Sequence, residues 1–240
     1  MAASIIDSSI FQGIFTTDAM REVWSDQNRT AKYVEIERAL AIVQGRLGLI
    51  PKEAADEIVS HCRIEEIDMA RLRQQTERIG YPILGVVTQI NQLCRDKLGE
   101  YVHWGATTQD IMDTAVVLQV RDALAIVERD MAAVSAALAI LAERHRDTAM
   151  AGRTHLQQAL PITFGYKAAI WLAAMQRHAE RLAQLKPRVL VAQLGGAAGT
   201  LASLGDKALD VLTAYARELG LANPLITWHV ARDGLVETVN

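Results

Sequence analysis

An apolar seam runs through the middle of this chain. Val117, Val120, Leu124, Val127, Met131, Val134, Leu138 and Leu141 recur at spacings that alternate between three and four. That alternation keeps one stripe of a helix apolar over more than three heptads, as in a helix packed along its length against others. A helix over residues 109–147 would be about 57 Å long at the usual rise per residue. Such a rod cannot bury its stripe alone. A second stripe follows at Ala168, Trp171, Met175, His178, Leu182, Leu185 and Val189. Residues 150–161 between the two read as a loop, which predicts an antiparallel pair within a bundle.

The rest of the chain agrees with a helical protein. Half of the 240 residues are hydrophobic, but only 5% are aromatic. Small aliphatic side chains favour interdigitating helices over a β-sandwich. Net charge is −3, so no basic surface marks a nucleic-acid partner. Cys62 and Cys94 have neither metal-ligand nor redox spacing and read as small apolar residues of a reducing compartment. The opening MAASIIDSSIFQGIF has no basic segment ahead of a long apolar one, and no 18-residue uncharged apolar run occurs. A cytoplasmic protein without a membrane partner is expected.

Proline and glycine punctuate the first third. Residues 1–15 read as irregular, and Thr17 and Asp18 can cap a short helix containing Met20, Val23 and Trp24. Helical patterns fill roughly 29–47, 51–62, 66–79 and 82–98. The expectation is an all-α protein: a small N-terminal helical domain over 1–100, then part of a central long-helix bundle over 101–240. A shorter helix is expected over 206–219, and another begins near Ala231.

Two segments flank the long helix and carry polar chemistry. The first, 103–114, is HWGATTQDIMDT. Thr107 and Thr108 precede the helix, where free backbone N–H groups and the positive dipole end attract a carboxylate. Asp110 and Asp113 suit the first turn. The same residues also fit an ordinary capped helix start beside a buried His103. The second segment places Arg153, Thr154, His155 and Gln158 together. Arginine can grip a carboxylate with two parallel hydrogen bonds, and histidine can move protons near neutral pH. A plain polar loop fits them as well. The two segments lie at opposite ends of a helix, roughly 50 Å apart. They can share one site only if a neighbouring subunit, packed antiparallel, brings its second segment to the first.

Other residues read more simply. GGAAG at 195–199 follows a helical pattern, which argues against a dinucleotide loop. His178 falls on the second stripe and reads as a core histidine, while His61 and His145 read as surface residues. His229, beside Arg232 and Asp233, could line a cleft or stand in an ordinary position. The tryptophans read as packing anchors.

HWGATTQDIMDT resembles the first signature region of the fumarase/aspartase superfamily, and GRTHLQQALPITFG at 152–165 resembles the second. LGGAAGTLASLG at 194–205, WHVARD at 228–233 and FTTDAMREVWSDQNR at 15–29 are similar to its 3-carboxy-cis,cis-muconate cycloisomerase branch. The resemblance covers essentially the whole chain. It implies a homotetramer with composite active sites and no metal or organic cofactor. It further implies removal of a proton next to a carboxylate of a small polycarboxylate, with addition or elimination at the neighbouring carbon. Thr107 and Thr108 would then bind a substrate carboxylate and His103 would help to position it. His155 would transfer the proton or assist, with Arg153, Thr154 and Gln158 completing that wall.

The chain departs from the family pattern in three places. The mobile serine loop GSSxMPxKxNP, which supplies the base, is absent and is expected beyond Asn240. A fragment of a longer enzyme, or a noncatalytic helical scaffold, is therefore an alternative. The cycloisomerase branch often has Trp where His155 stands, which keeps amino- or imino-dicarboxylate lyases and epimerases open. Adenylosuccinate lyase is the other alternative, although its histidine near residue 82 and its N-terminal Arg-Tyr element are missing.

Overall fold

The computed structural model describes residues 4–5 and 8–239. Residues 1–3, 6, 7 and 240, part of the stretch read as irregular and the last residue of the chain, lie outside them. Ten α-helices and one two-stranded sheet form the framework of the described residues. The helices are α1 (Gln12–Phe15), α2 (Asp18–Val23), α3 (Asp26–Arg46), α4 (Lys52–His61), α5 (Met69–Ile79) and α6 (Ile83–Leu93), then α7 (Thr108–Arg144), α8 (Phe164–Val189), α9 (Ala208–Glu218) and α10 (Asp233–Val236). The helical architecture expected from the sequence is what the structure has.

Local chemistry sets the helix starts. The Ser25 hydroxyl accepts from Asn28 N–H, and the Asp68 carboxylate accepts from Arg71 N–H, each satisfying a donor that the first turn cannot use. Thr17 does the same for Met20, as its position suggested. α5 ends at Gly80 in the left-handed conformation, φ 98°.

Contacts divide the chain into two compact units, and they do not follow a boundary at residue 100. One unit joins 1–122 with 187–240, and the other is 123–186. The reason in the first unit is its core. Ile36 and Leu40 of α3 are buried with Ile58, Ile83, Ile90, Ile111, Leu118, Leu194 and Tyr215, so the C-terminal segment closes over the N-terminal helices. A parallel bridge between Val191 and Ala222 ties that segment to itself. Val117 and Val120 of the seam belong to this core.

In the second unit, α8 runs back along α7. Lys186 Nζ meets Glu128 at 2.6 Å, and the Phe164 ring packs edge-on to His145 at 5.2 Å. Val127, Val134, Ile140, Ile170 and Trp171 are exposed here. His178 is exposed too and contacts Arg181, so its reading as a core histidine is corrected. The stripe that carries it is covered only in part within one chain: Ala168 and Val189 are buried, whereas Trp171 and His178 are exposed.

Residues 150–161 are also corrected. They do not form an irregular loop but an antiparallel hairpin, β1 (Ala149–Thr154) and β2 (Gln157–Thr163). The strands join through His155 and Leu156, with φ of 40° and 62°. Two successive positive φ values give the type I′ pattern that matches strand twist. Asn-Gly normally signals such a turn, and His-Leu does not, so the hairpin was hidden.

Candidate active site at the start of the long helix

The turn ahead of α7 is built by tight approach. The Ala106 N–H donates to His103 C=O at 3.2 Å, and both His103 and Gly105 have positive φ. A Cβ on Gly105 would lie 2.5 Å from Leu204 Cδ2, so only glycine lets this turn seat against segment 194–205. Gln44, buried on α3, donates to the Trp104 C=O at 2.7 Å and pins the turn from below.

Asp110 is the centre of the arrangement. It is fully buried. Its Oδ1 accepts from Gly195 N–H at 2.8 Å, and its Oδ2 accepts from the N–H groups of Gly196 and Thr107, both at 2.9 Å. His229 Nε2 stands 2.6 Å from Oδ1. One carboxylate thus joins the helix start, the GGAAG segment and the WHVARD segment. The sequence suggested that Asp110 serves the helix dipole; it does stand in the first turn of α7, and its carboxylate also clasps two loops. The Thr107 N–H is also engaged, so the donors left free at this helix start are fewer than expected.

The neighbouring polar groups extend the frame. Gln193 is buried, donates to Thr227 Oγ1 at 2.7 Å and accepts from Trp228 N–H at 2.9 Å. Thr114 Oγ1 donates to the Gln193 C=O at 2.9 Å. Arg232 grips both oxygens of Asp113, one at 2.8 Å, while its guanidinium covers the Trp228 ring. That pairing raises the Arg232 pKa further. Gln109 donates to the His229 C=O at 2.8 Å.

His103 has a partner of its own. Its Nδ1 is 2.6 Å from Oε1 of Glu37, which is 1% exposed. Burial pulls the imidazole pKa down, but the Glu37 carboxylate, by charge and hydrogen bond, and the Asp110 charge outweigh it. The net shift is upward. Thr107 and Thr108 are partly exposed beside it. Among the described residues, no group of three His, Cys, Asp or Glu side chains is arranged to hold a metal ion.

The sequence-derived site residues therefore fall into two sets. His103, Thr107 and Thr108 stand together in the first unit. Arg153, Thr154, His155 and Gln158 stand together at the hairpin tip in the second, all exposed. Glu37, Asp110, Gln193 and His229 are the residues whose place sequence reasoning missed. Only the WHVARD segment signalled His229. Nothing near Glu37 in the chain, in the middle of a helix with several other charged residues, linked it to residue 103.

A family model described as Lyase matches residues 13–239. The chain belongs to this lyase family, within the fumarase/aspartase superfamily. Trans-aconitate decarboxylase 1 of Mycosarcoma maydis is 54% identical over 93% of this chain and 45% of its own length. The 3-carboxy-cis,cis-muconate cycloisomerase of Pseudomonas aeruginosa is 45% identical over 96% of this chain and 51% of its own. The crystal structure of fumarate lyase from Mesorhizobium sp. BNC1 superposes with a TM-score of 0.91 at 57% identity, covering 94% of this chain and 53% of that one. The chain spans about half the length of the curated relatives it matches.

Proposed function

We propose that this lyase-family chain contributes to a cycloisomerase- or lyase-type active site for a small polycarboxylate, with 3-carboxy-cis,cis-muconate as the first substrate to test. The observation that carries this reading is the fixed polar wall at the start of α7. There His103 is held by Glu37, and Thr107 and Thr108 remain partly exposed beside it. Hydroxyl donors and an imidazole whose pKa the Glu37 carboxylate raises suit the dianion formed when a proton leaves the carbon next to a carboxylate. The names of two relatives point the same way, because trans-aconitate and 3-carboxy-cis,cis-muconate are both tricarboxylates.

His155, with Arg153, Thr154 and Gln158, supplies the opposing wall in this reading and comes from another subunit of a homotetramer. Two features support it. The apolar side chains of Val127, Val134, Ile140 and Trp171 are exposed on α7 and α8, as a bundle formed between subunits requires. The hairpin tip is also exposed, with Leu156 fully so. A catalytic base is expected from the serine loop of the longer family pattern.

The test is turnover by full-length protein. Lactonisation of 3-carboxy-cis,cis-muconate is expected. No reaction there, with cleavage of adenylosuccinate or another amino dicarboxylate, would transfer the chain to the lyase branch. No reaction with any polycarboxylate would leave the noncatalytic scaffold reading.

A further inference from the structure

Glu37 is a buried acid with one partner. It sits in the middle of α3, 1% exposed, among Ile36, Leu40 and other apolar side chains. Its Oε1 meets His103 Nδ1 at 2.6 Å, and its Oε2 has no hydrogen-bond partner. A carboxylate in such surroundings is costly unless a cation balances it. The His103 ring is the group in place to do so. The His103 backbone is itself unusual: its φ of 64° is uncommon for a non-glycine residue.

We propose that Glu37 is a positioning residue, whose buried carboxylate keeps the proton on Nδ1 of His103 and holds the ring as an imidazolium that offers Nε2–H to a substrate carboxylate. A carboxylate only accepts, so the short contact places a proton on Nδ1 whatever the charge of the ring. Nε2 is then the free nitrogen. In the cationic ring it is a donor, suited to binding a carboxylate and unsuited to taking a proton from carbon. The dyad therefore separates labour, with His103 as binder and the proton transfer left to other groups. The charged and titratable groups around the pair agree with this assignment. Asp110, from the first turn of α7, adds negative charge toward His103. Cys62, after α4, and the Tyr215 phenol of α9 lie within reach of the Glu37 charge, and both are held protonated by burial with that charge acting the same way.

The tautomer and titration assignment stands on this chain alone, whereas the role toward a substrate carboxylate rests on the proposed function. Long-range proton–nitrogen NMR on the 15N-labelled protein reads both ring nitrogens, with His103→Gln assigning the signal among the six histidines. The expected result is a proton on Nδ1 above the titration midpoint and a lower midpoint in Glu37→Gln. A proton on Nε2 in the neutral ring, or an unchanged midpoint in Glu37→Gln, overturns the proposal. Should Glu37→Gln fail to fold, the wild-type tautomer decides alone, and Glu37→Asp supplies the titration. In turnover assays, Glu37→Gln should raise KM more than it lowers kcat and move the alkaline limb of kcat/KM to lower pH. A loss confined to kcat would overturn the binding role. Absence of turnover in the wild type would count against the proposed function, while the NMR spectra would still decide the tautomer and the titration.

Discussion

His229 Nε2 lies 2.6 Å from Asp110 Oδ1, although 119 residues separate them. The carboxylate that receives this ring also receives the backbone N–H groups of Thr107, Gly195 and Gly196. Three segments that resemble family motifs thus converge on one buried acid.

Asp110→Ala should therefore be among the most damaging single substitutions in the first unit. It removes a buried acceptor and strands several donors, a change on the order of 3–5 kcal/mol. Chemical denaturation reads the loss, and amide exchange at Gly195 and Gly196 should accelerate. Slow exchange at both positions in the variant would show that Asp110 does not hold the loop.

Gly105→Ala should cost about 1–3 kcal/mol. The added Cβ meets Leu204 Cδ2, and φ of 75° is unfavourable for alanine. A denaturation midpoint equal to that of the wild type would mean that the turn and segment 194–205 shift apart easily.

The hairpin tip responds in the opposite direction. Leu156 is fully exposed yet has φ of 62°. In the isolated chain, Leu156→Gly should raise stability by about 1 kcal/mol through relief of the left-handed conformation. Proteolytic cleavage at the hairpin should slow. Lower stability in the variant would indicate that Leu156 is buried against another subunit in solution.

Stability should also depend on pH through His103. Its folded pKa is raised above the unfolded value, so the native state binds the extra proton. The Glu37–His103 contribution is fully present below the unfolded histidine range, near pH 6.5, and is lost as pH rises through the folded pKa. Denaturation midpoints measured across that interval should fall, and His103→Gln should flatten the slope. A midpoint that rises over the same interval would contradict the pairing.

For the proposed reaction, His155→Ala in the full-length enzyme should lower turnover by about 10²–10⁴-fold. An unchanged rate removes His155 from the catalytic residues. Sedimentation should show a tetramer, and a monomer would contradict the shared site.

The sequence alone determined the long helices and the order of the polar segments, while the short α1 fell in a stretch read as irregular and the helix expected over 82–98 ends at Leu93. Apolar spacing at Val117 through Leu141 announced α7, because a period of alternating threes and fours suits only one backbone. Thr17 supplied a start and Gly80 a stop. His103, Thr107 and Thr108 could be read as one candidate group because they are neighbours in the chain. Only tertiary structure decided that Asp110 holds two loops as well as the start of its own helix, that Glu37 reaches across 66 residues to His103, and that His229 joins the cluster. Periodicity records which face of a helix is apolar, but a polar side chain inside that face carries no address for its partner. The hairpin was hidden for a related reason: pairing of the two strands imposes positive φ on His155 and Leu156, against the preference of both residues.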